Sequence, residues 1–310
     1  MGAGFGANAG IAPIERPRTR EETLTAIRIL HVSDTHLSPT HAYFAMNWAS
    51  FRADMEAAPP DLLIHGGDLA FNAPAIEADL AFAAGEIKAL GLDWLAIPGN
   101  HDIGEAPSFS RLNQPITPAT MAAWRGLVGP QWWSRDVAGW RLIGLDTALM
   151  ASDLPEEAEQ RAFFDEALAD RGGRPVMVFI HIPPFDEGPD DPRPTTSIVP
   201  FPARGPFLDT CAAGGVKAIA CGHLHIYRHH RHRGMDIVWA PATAMVDVRK
   251  GLSHRQRFPR PGYLEWRLDG EHATHRLVEP ERMFVIDMTG WTAGNNGTTT
   301  TLPPWPGPWA

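Results

Sequence analysis

Residues 27–36 read Ile-Arg-Ile-Leu-His-Val-Ser-Asp-Thr-His. The first seven are rich in apolar and β-branched side chains, which predicts a buried β-strand. Asp34 and His36 follow this strand two residues apart, on one side of an extended chain. A carboxylate and an imidazole suit the same transition-metal ion. The stretch therefore predicts a strand that carries two potential metal ligands at its C-terminal end.

The same pattern of an apolar run followed by potential ligands returns at residues 62–68, 95–102, 176–181 and 216–225. These segments end in Gly67-Asp68, Gly99-Asn100-His101-Asp102, His181 and Gly222-His223-Leu224-His225. In open α/β sheets, ligands gather beyond the C-terminal ends of the strands. A sixth segment, 141–147, has the strand but no ligand. We interpret its Asp146 as a turn residue, with metal binding as the alternative.

Each motif is weak by itself, because Gly-Asp is a common turn dipeptide and His-x-His also occurs on solvated strands. Apart from His101 and Asp102, they together offer two Asp carboxylates, one Asn amide and four His imidazoles. This is a ligand set for two adjacent divalent cations that share one carboxylate. A metal pair about 3.5–4 Å apart can hold a phosphoryl group beside a hydroxide nucleophile. The sequence therefore predicts an enzyme that cleaves phosphate esters.

The ordered pattern D-x-H, G-D, G-N-H-D, H and G-H-x-H resembles that of the calcineurin-like metallophosphoesterase superfamily, over roughly residues 25–250. Because Asp102 closes the third motif, the chain looks closest to the class III cyclic-nucleotide phosphodiesterases and the glycerophosphodiesterase-like enzymes. The resemblance implies an α/β fold, a four-layer α-β-β-α sandwich with two packed mixed β-sheets and a dimetal site on one rim.

The resemblance also implies a division of the ligands between two metal ions. Asp34, His36 and His225 would bind one ion, and Asn100, His181 and His223 the other. Asp68 would bridge them. Carboxylates with imidazoles suit Mn, Fe, Zn or Co, whereas the oxygen-only cage typical of Mg or Ca is absent. A hydroxide between the metals would attack the phosphorus in line.

Two further residues of the third motif are expected to assist the reaction. The resemblance places His101 over the phosphate, where it would stabilise the transition state or protonate the departing oxygen. Asp102 would orient His101, as carboxylates commonly do for imidazoles. The alternative for Asp102 is a helix N-cap. The fourth motif departs from the His-His-Pro-Pro of related phosphodiesterases, because its second residue is Ile182. This change puts any substrate contact of that position in doubt.

Composition narrows the class of protein. The chain has 310 residues, of which 44% are hydrophobic, enough to bury a large core. The net charge of −9 argues against a nucleic-acid partner, whose binding surfaces are generally basic. Neither a 20-residue apolar run nor a secretory signal is visible, so no membrane partner is expected. The chain has only two cysteines and therefore no disulfide framework that would suggest export, so the cytoplasm is the expected location. We expect Cys221 to be a small buried residue.

We predict four segments along the chain. Residues 1–22 form a flexible N-terminal segment, 23–250 the catalytic domain, 251–288 a β-hairpin extension and 289–310 a Gly/Thr/Pro/Trp-rich tail. Helices are predicted at 75–90 and 154–170. The hairpin at 263–278 is expected to add edge strands to the second sheet, and the His-rich run 227–234 to form a solvated hairpin. The tail tryptophans Trp291, Trp305 and Trp309 could dock on the body or on a second subunit, so a homo-oligomer stays open.

Three segments are predicted as irregular loops that set specificity: 38–51, 103–133 and 185–207. They carry aromatic residues such as Tyr43, Trp48 and Phe109, which could cover a substrate, and the arginines Arg193 and Arg204. The alternative is that the aromatic side chains pack the loops onto the body.

The expected substrate is a small organic phosphodiester. A monoester brings a second negative charge, yet between Asp34 and Asp102 the only Arg or Lys residues are Arg52 and Lys88, and neither adjoins a ligand. A phosphomonoesterase of the same superfamily is the alternative. A non-catalytic interaction module on this fold is the reading from a different class, and the intact ligand set disfavours it.

Overall fold

The computed structural model of the chain describes residues 26–110, 113–190, 196–246 and 259–287. Its strands are β1 Ile27–Val32, β2 Leu62–His65, β3 Trp94–Ala96, β4 Trp133–Val137, β5 Trp140–Gly144, β6 Val176–Phe179, β7 Val216–Cys221, β8 Arg228–His232, β9 Met235–Trp239, β10 Tyr263–Asp269 and β11 His272–Val278. Its α-helices are α1 Ala45–Ala57, α2 Glu77–Lys88, α3 Asn100–Ile103, α4 Pro118–Leu127, α5 Pro155–Ala169 and α6 Phe201–Ala213.

The strands form two mixed sheets. The first has the order β11-β10-β1-β2-β3, in which β1, β2 and β3 are parallel. The second has the order β4-β5-β6-β7-β9-β8, in which β5, β6, β7 and β9 are parallel. The parallel strands of each sheet therefore end on one edge, where the predicted ligands follow them.

Three apolar clusters hold the layers together. One lies between the sheets and joins Ile29 and Ile64 of the first sheet to Phe179 of the second. The outer face of the first sheet packs on α1, α2 and α4, and that of the second sheet on α5 and α6. The layers are thus helices, sheet, sheet, helices, so the predicted α-β-β-α sandwich is confirmed.

The hairpin at the end of the described chain forms as predicted, but it joins the other sheet. β10 pairs antiparallel with β1, and Ile29 lies opposite Trp266. Leu264, Trp266 and Leu268 enter the cluster between the sheets. The prediction that the hairpin adds edge strands to the second sheet was wrong. The edge of β1 in the first sheet is free to pair with β10, and this pairing buries the apolar face of β10. The His-rich run forms the predicted hairpin, with β8 antiparallel to β9.

The three segments predicted as irregular loops contain helices. α1 begins within 38–51, α4 lies within 103–133 and α6 begins within 185–207. Trp48, Phe51 and Met55 are buried at helical spacing on α1, which explains why this segment is a helix. Prolines within and before α6 obscure its helical pattern.

The predicted helices at 75–90 and 154–170 are confirmed as α2 and α5, each somewhat shorter than expected. The predicted boundaries at 22, 250 and 288, the segment 1–22 and the tail 289–310 lie outside the described residues and stay predictions. In the part of the chain that is described, no helix has the length and apolar character needed to cross a membrane.

Candidate metal centre

The candidate ligands meet where the two sheets end side by side. Asp34 and His36 follow β1, Asp68 follows β2, and Asn100 follows β3 in the first sheet. His181 follows β6, and His223 and His225 follow β7 in the second. All but two of these seven residues, His223 and His225, are buried.

A first group of side chains converges around Asp34. Atoms of Asp34, His36, Asp68 and His225 all lie within 4.8 Å of one another. His225 Nε2 lies 3.2 Å from Asp34 Oδ1, and His36 Nε2 lies 3.8 Å from Asp68 Oδ2. The two imidazoles face each other, with 3.3 Å between their Nε2 atoms.

A second group shares Asp68 with the first. Asp68, His181 and His223 offer atoms within 4.8 Å of one another. His181 Nε2 lies 3.2 Å from Asp68 Oδ2 and 3.3 Å from His223 Nδ1. Asn100 is also buried. It lies beside this group, since the next residue, His101, donates its backbone N–H to Asp68 Oδ1 over 2.8 Å. Asp68 is common to both groups. The assignment of Asp34, His36 and His225 to one ion and of Asn100, His181 and His223 to the other stays a prediction.

Five candidate ligands have a left-handed backbone. The φ angles are 55° at Asp34, 44° at His36, 55° at Asp68, 69° at His223 and 58° at His225. Non-glycine residues rarely adopt this conformation, and it concentrates at functional sites. Backbone hydrogen bonds hold it, since Asp34 N–H donates to the Gly67 carbonyl and His36 N–H to the Asp68 carbonyl. The sequence carried no signal for these angles.

Glycines let the ligand loops approach one another. A Cβ on Gly67 would lie 2.7 Å from His181 Cγ, and one on Gly99 would lie 2.8 Å from Asp68 Cγ. A Cβ on Gly222 would lie 2.7 Å from Asp34 Oδ2 and closer still to Ser33 Oγ. These glycines therefore serve close packing of the loops.

Electrostatics keep both carboxylates of the centre ionised. Burial alone would raise the pKa of Asp68, but His181, His101 and His36 hold it well below its usual range. Burial likewise opposes ionisation of Asp34, yet His225 and His181 lower its pKa. Burial would also lower the pKa of His181, but the charges of Asp68 and Asp34 raise it to about 9. The centre thus presents two anions ringed by imidazoles.

The residues fit a pair of metal ions. Asn100 Oδ1 is a buried acceptor without a hydrogen-bond partner among the described residues, and the buried Asp34 Oδ1 has only the His225 imidazole beside it, at 3.2 Å. An unsatisfied buried acceptor is costly unless something else occupies its lone pairs. Each of the two atom groups has a mixed carboxylate and imidazole donor set, which suits Mn, Fe, Co or Zn.

His101 is held through its Nδ1 atom. Nδ1–H donates to the carbonyl of Phe71 over 2.6 Å, and the ring meets that of His36 edge-on at 4.7 Å. The partner that orients this imidazole is therefore a backbone carbonyl, which leaves Nε2 as the atom available to a substrate.

Asp102 does not orient His101 as predicted. Its carboxylate accepts the backbone N–H groups of Leu69, Ala70 and Gly99, at 3.2, 2.8 and 2.9 Å. It lies in the first turn of α3 after the N-cap Gly99, so it is not the N-cap itself. Burial, reinforced by the charge of Asp68, raises the pKa of Asp102 to about 7. Asp102 ties the Gly-Asp loop to the Asn-His loop.

A hydrogen-bond chain beneath the first ligand pair was missed by the sequence reasoning. Thr35 Oγ1 donates to the carbonyl of Leu69 over 3.1 Å, so the buried His65 donates its Nε2–H to Thr35 over 3.0 Å. Ser33 Oγ donates to Asp34 Oδ2 over 2.6 Å. The only sequence signal for Ser33, Thr35 and His65 was that polar residues occur within or just after apolar strands.

The remaining predicted residues take structural positions. Asp146 is buried and accepts the Ala148 backbone N–H and Gln131 Nε2–H, so its turn role is confirmed. Cys221 is buried, as predicted. Arg204 is buried and donates to the carbonyls of Val199 and Pro189. Arg193 and the Phe109 side chain lie outside what the structure describes.

The aromatic residues of the three specificity segments mostly pack inward. Trp48, Trp124 and Trp133 are buried. Phe44 is also buried and packs with Phe71, which lies outside these segments, in a small cluster beside the centre; the Phe44 ring lies 6.3 Å from that of His36. For most of these aromatic residues the packing alternative therefore describes the structure.

The profile of the Calcineurin-like phosphoesterase family matches residues 27–227, more than half of the chain. The chain belongs to the calcineurin-like phosphoesterase family. This family works with a dimetal centre of the kind that the Asp and His groups can form. No curated protein sequence matches the chain.

Solved structures share the fold at low identity. Purple acid phosphatase PPD1 from yellow lupin (Lupinus luteus) seeds superposes with a TM-score of 0.62 and 15% identity, over 84% of this chain and 53% of the lupin chain. This chain thus spans about half of the lupin protein. A dimetal phosphatase from Danio rerio gives 0.54 and 13%, over 82% and 97%. GAP50, the anchor in the inner membrane complex of Plasmodium, gives 0.56 and 13%, over 84% and 87%.

Proposed function

We propose that this chain hydrolyses a small organic phosphodiester, using two ions of Mn, Fe, Zn or Co. Asp34, His36 and His225 would hold one ion and Asn100, His181 and His223 the other, with Asp68 between them. The observation that supports a diester concerns the charge around the centre. After burial, the main electrostatic influences on Asp34 are the imidazoles of His225 and His181 and the Asp68 carboxylate, and those on Asp68 are imidazoles; among the described residues no guanidinium or ammonium group is one of them.

A monoester dianion would bring a second negative charge to the centre, and the two metal ions, each already bound by carboxylates, would be its main compensation. Sites that prefer dianions add fixed cations, because each cation offsets part of that charge. Arg52 pairs with Glu86, and the buried Arg204 holds backbone carbonyls. A singly charged diester therefore suits this centre better.

The residues around the centre have distinct tasks. When bound, the metal pair would supply a water-derived nucleophile at neutral pH and positive charge for the phosphoryl oxygens. His101, fixed by the Phe71 carbonyl, would direct Nε2 to the departing oxygen and protonate it or donate a hydrogen bond. Asp102 would act indirectly, by holding the backbone of the two loops that carry Asp68 and Asn100.

A phosphomonoesterase is the second candidate, because the lupin and Danio rerio structures that share this fold are named phosphatases. A non-catalytic role has less support. GAP50 is named an anchor, but here all seven candidate ligands and His101 are present. The acidic net charge of −9 also favours a small substrate over a nucleic acid.

The deciding measurement is kcat/KM for bis(4-nitrophenyl) phosphate against 4-nitrophenyl phosphate, with the same metal and pH. Both substrates release the same nitrophenol, so the ratio reports the charge and ester group of the phosphate. We expect the diester to be preferred. A clear preference for the monoester would establish the second candidate, and no turnover of either by protein with two bound metals would refute both.

A further inference from the structure

Asp79 is a buried carboxylate at the start of α2, outside the set of candidate ligands. It is the third residue of that helix, and no part of it is exposed to solvent. Acidic side chains are almost never fully buried unless they are paired. Glu77, the other acid in the first turn of α2, supports the helix dipole from an exposed position. Support for the helix therefore does not explain why Asp79 is buried.

The two carboxylate oxygens of Asp79 accept hydrogen bonds from two different loops. Ser38 Oγ donates to Oδ1 over 2.7 Å, and the backbone N–H of Asn72 donates to Oδ2 over 3.1 Å. Ser38 belongs to the loop that follows His36, and Asn72 to the loop that follows Asp68. Asp79 thus ties together two loops that carry candidate ligands.

The loop that contains Asn72 holds His101 by both its ring and its backbone. His101 Nδ1–H donates to the Phe71 carbonyl over 2.6 Å, and the Ala73 N–H donates to the His101 carbonyl over 2.8 Å. Asn72 lies between these two partners in the chain. A shift of the Asn72 backbone would therefore disturb both contacts of His101.

The loop that contains Ser38 constrains the same Phe71. Ser38 Oγ accepts the backbone N–H of His41 over 2.9 Å, and the His41 ring stacks on the Phe71 ring with 5.1 Å between centroids and 12° between planes. The Phe71 N–H also donates to the carbonyl of Leu37 over 2.9 Å. Phe71 is thus held by both of the loops that Asp79 joins.

We propose that Asp79 is a positioning residue that fixes the direction of the His101 ring and thereby the place of its Nε2 atom. This inference rests on the proposed function, in which His101 serves the departing oxygen. Asp79 acts through the backbone of Asn72 and Phe71, because its carboxylate accepts the Asn72 N–H. Proton transfer requires heavy atoms about 2.6–3.2 Å apart, so a small displacement of the ring lowers the rate.

The first test observes the His101 ring without catalysis, by ¹⁵N NMR of histidine-labelled full chain loaded with diamagnetic Zn²⁺. The hydrogen bond to Phe71 predicts one tautomer, protonated at Nδ1. We expect Asp79→Ala to give a mixture of tautomers at His101, and the matched control Glu77→Ala to keep one. The spectrum of His101→Ala assigns the resonance. An unchanged His101 signal in Asp79→Ala would overturn the proposal, whatever the activity of the enzyme.

The second test is a double-mutant cycle on diester hydrolysis, with the metal content of each variant measured. We expect Asp79→Ala to keep two metals and a similar KM but to lower kcat about 10–100-fold, more for diphenyl phosphate than for bis(4-nitrophenyl) phosphate. Added to His101→Ala, it should slow the reaction little further, because the residue through which it acts is gone. Losses that multiply in the double variant, or loss of metal, would show a merely structural role.

Asp79→Asn supplies a conservative variant, which also serves if Asp79→Ala does not fold. Its amide keeps one acceptor oxygen, and its NH₂ group is a donor. The Ser38 hydroxyl can rotate to accept from this NH₂ group, whereas the Asn72 N–H can only donate, so the oxygen faces Asn72. We therefore expect Asp79→Asn to retain the single His101 tautomer and most of the activity. A mixture of tautomers in Asp79→Asn would refute the route through Asn72. A wild-type chain with two metals and no turnover would refute the proposed function alone, since the NMR result still decides the role of Asp79.

Discussion

Gly222→Ala tests whether backbone packing sets the metal affinity of this centre. The new Cβ would lie 2.7 Å from Asp34 Oδ2, which is 0.7 Å inside the 3.4 Å at which ordinary contact begins. Ser33 Oγ, which donates to the same carboxylate oxygen, would be closer still. Asp34 Oδ2 also accepts the backbone N–H of His223 over 3.1 Å. The methyl group must therefore displace a ligand or the loop that follows it.

The expected loss can be estimated from comparable changes. Overpacking a tight site costs about 1–3 kcal/mol of stability. Disturbing groups that orient metal ligands typically lowers metal affinity about 10–100-fold. Calorimetric titration of the metal-free protein with Mn²⁺ or Zn²⁺ measures the affinity, and thermal unfolding measures stability. We expect weaker binding at the Asp34 group and a lower kcat/KM at limiting metal.

Two control variants make the result specific. Ser33→Ala removes the nearest clashing atom, so the double variant with Gly222→Ala should regain part of the lost affinity. Gly85→Ala places a methyl group on α2 with nothing within 4 Å, and should raise stability by about 0.5–1 kcal/mol without changing metal binding. If Gly222→Ala bound metal as tightly as Gly85→Ala does, the packing argument would be refuted.

Three other changes separate ligand, proton and stability effects. Asp68→Ala removes the side chain common to both groups, so metal content should fall and turnover should drop by orders of magnitude while the fold persists; near-normal turnover with two metals bound would contradict this. His101→Ala should keep both metals but slow diester hydrolysis about 10²–10⁴-fold, and more for poor leaving groups than for nitrophenol; equal losses would leave only a positioning role. Burial raises the pKa of Asp146 to about 7, so the folded state binds more protons between about pH 4 and 7 and loses stability as pH rises through that window. Relative to Asp146→Asn, the free energy of unfolding in urea should therefore decline over this range, and a constant difference would show that Asp146 titrates normally.

The ligand positions could be predicted because each apolar run that predicts a strand is followed directly by potential metal ligands. Apolar runs such as residues 27–32 predict buried strands, and parallel strands bring their C-terminal ends to one edge. Side chains such as Asp34 and His181 therefore had to meet once the strands were correctly placed. Their left-handed backbone could not be predicted, because even for Asp and His, which adopt it more often than other non-glycine residues, it is uncommon, and the surrounding loops impose it.

Misassigned features depended on contacts distant in sequence. The partners of Asp102 are the N–H groups of Leu69, Ala70 and Gly99, and only the first two are far from it in the chain. Which sheet receives β10 depends on the free edge of β1, some 230 residues earlier, as the pairing of Ile29 with Trp266 shows. The helix α1 was detectable, since Trp48, Phe51 and Met55 have helical spacing, but no side chain caps its start.

The five left-handed ligands set stability against turnover. Each such residue other than glycine costs the folded chain about 1 kcal/mol or more. His36, His223 and His225 would each ease that cost if replaced by glycine, and each replacement would remove an imidazole. In the metal-free chain, selection for thermal tolerance alone would therefore favour the loss of these histidines, whereas metal binding and catalysis would retain them.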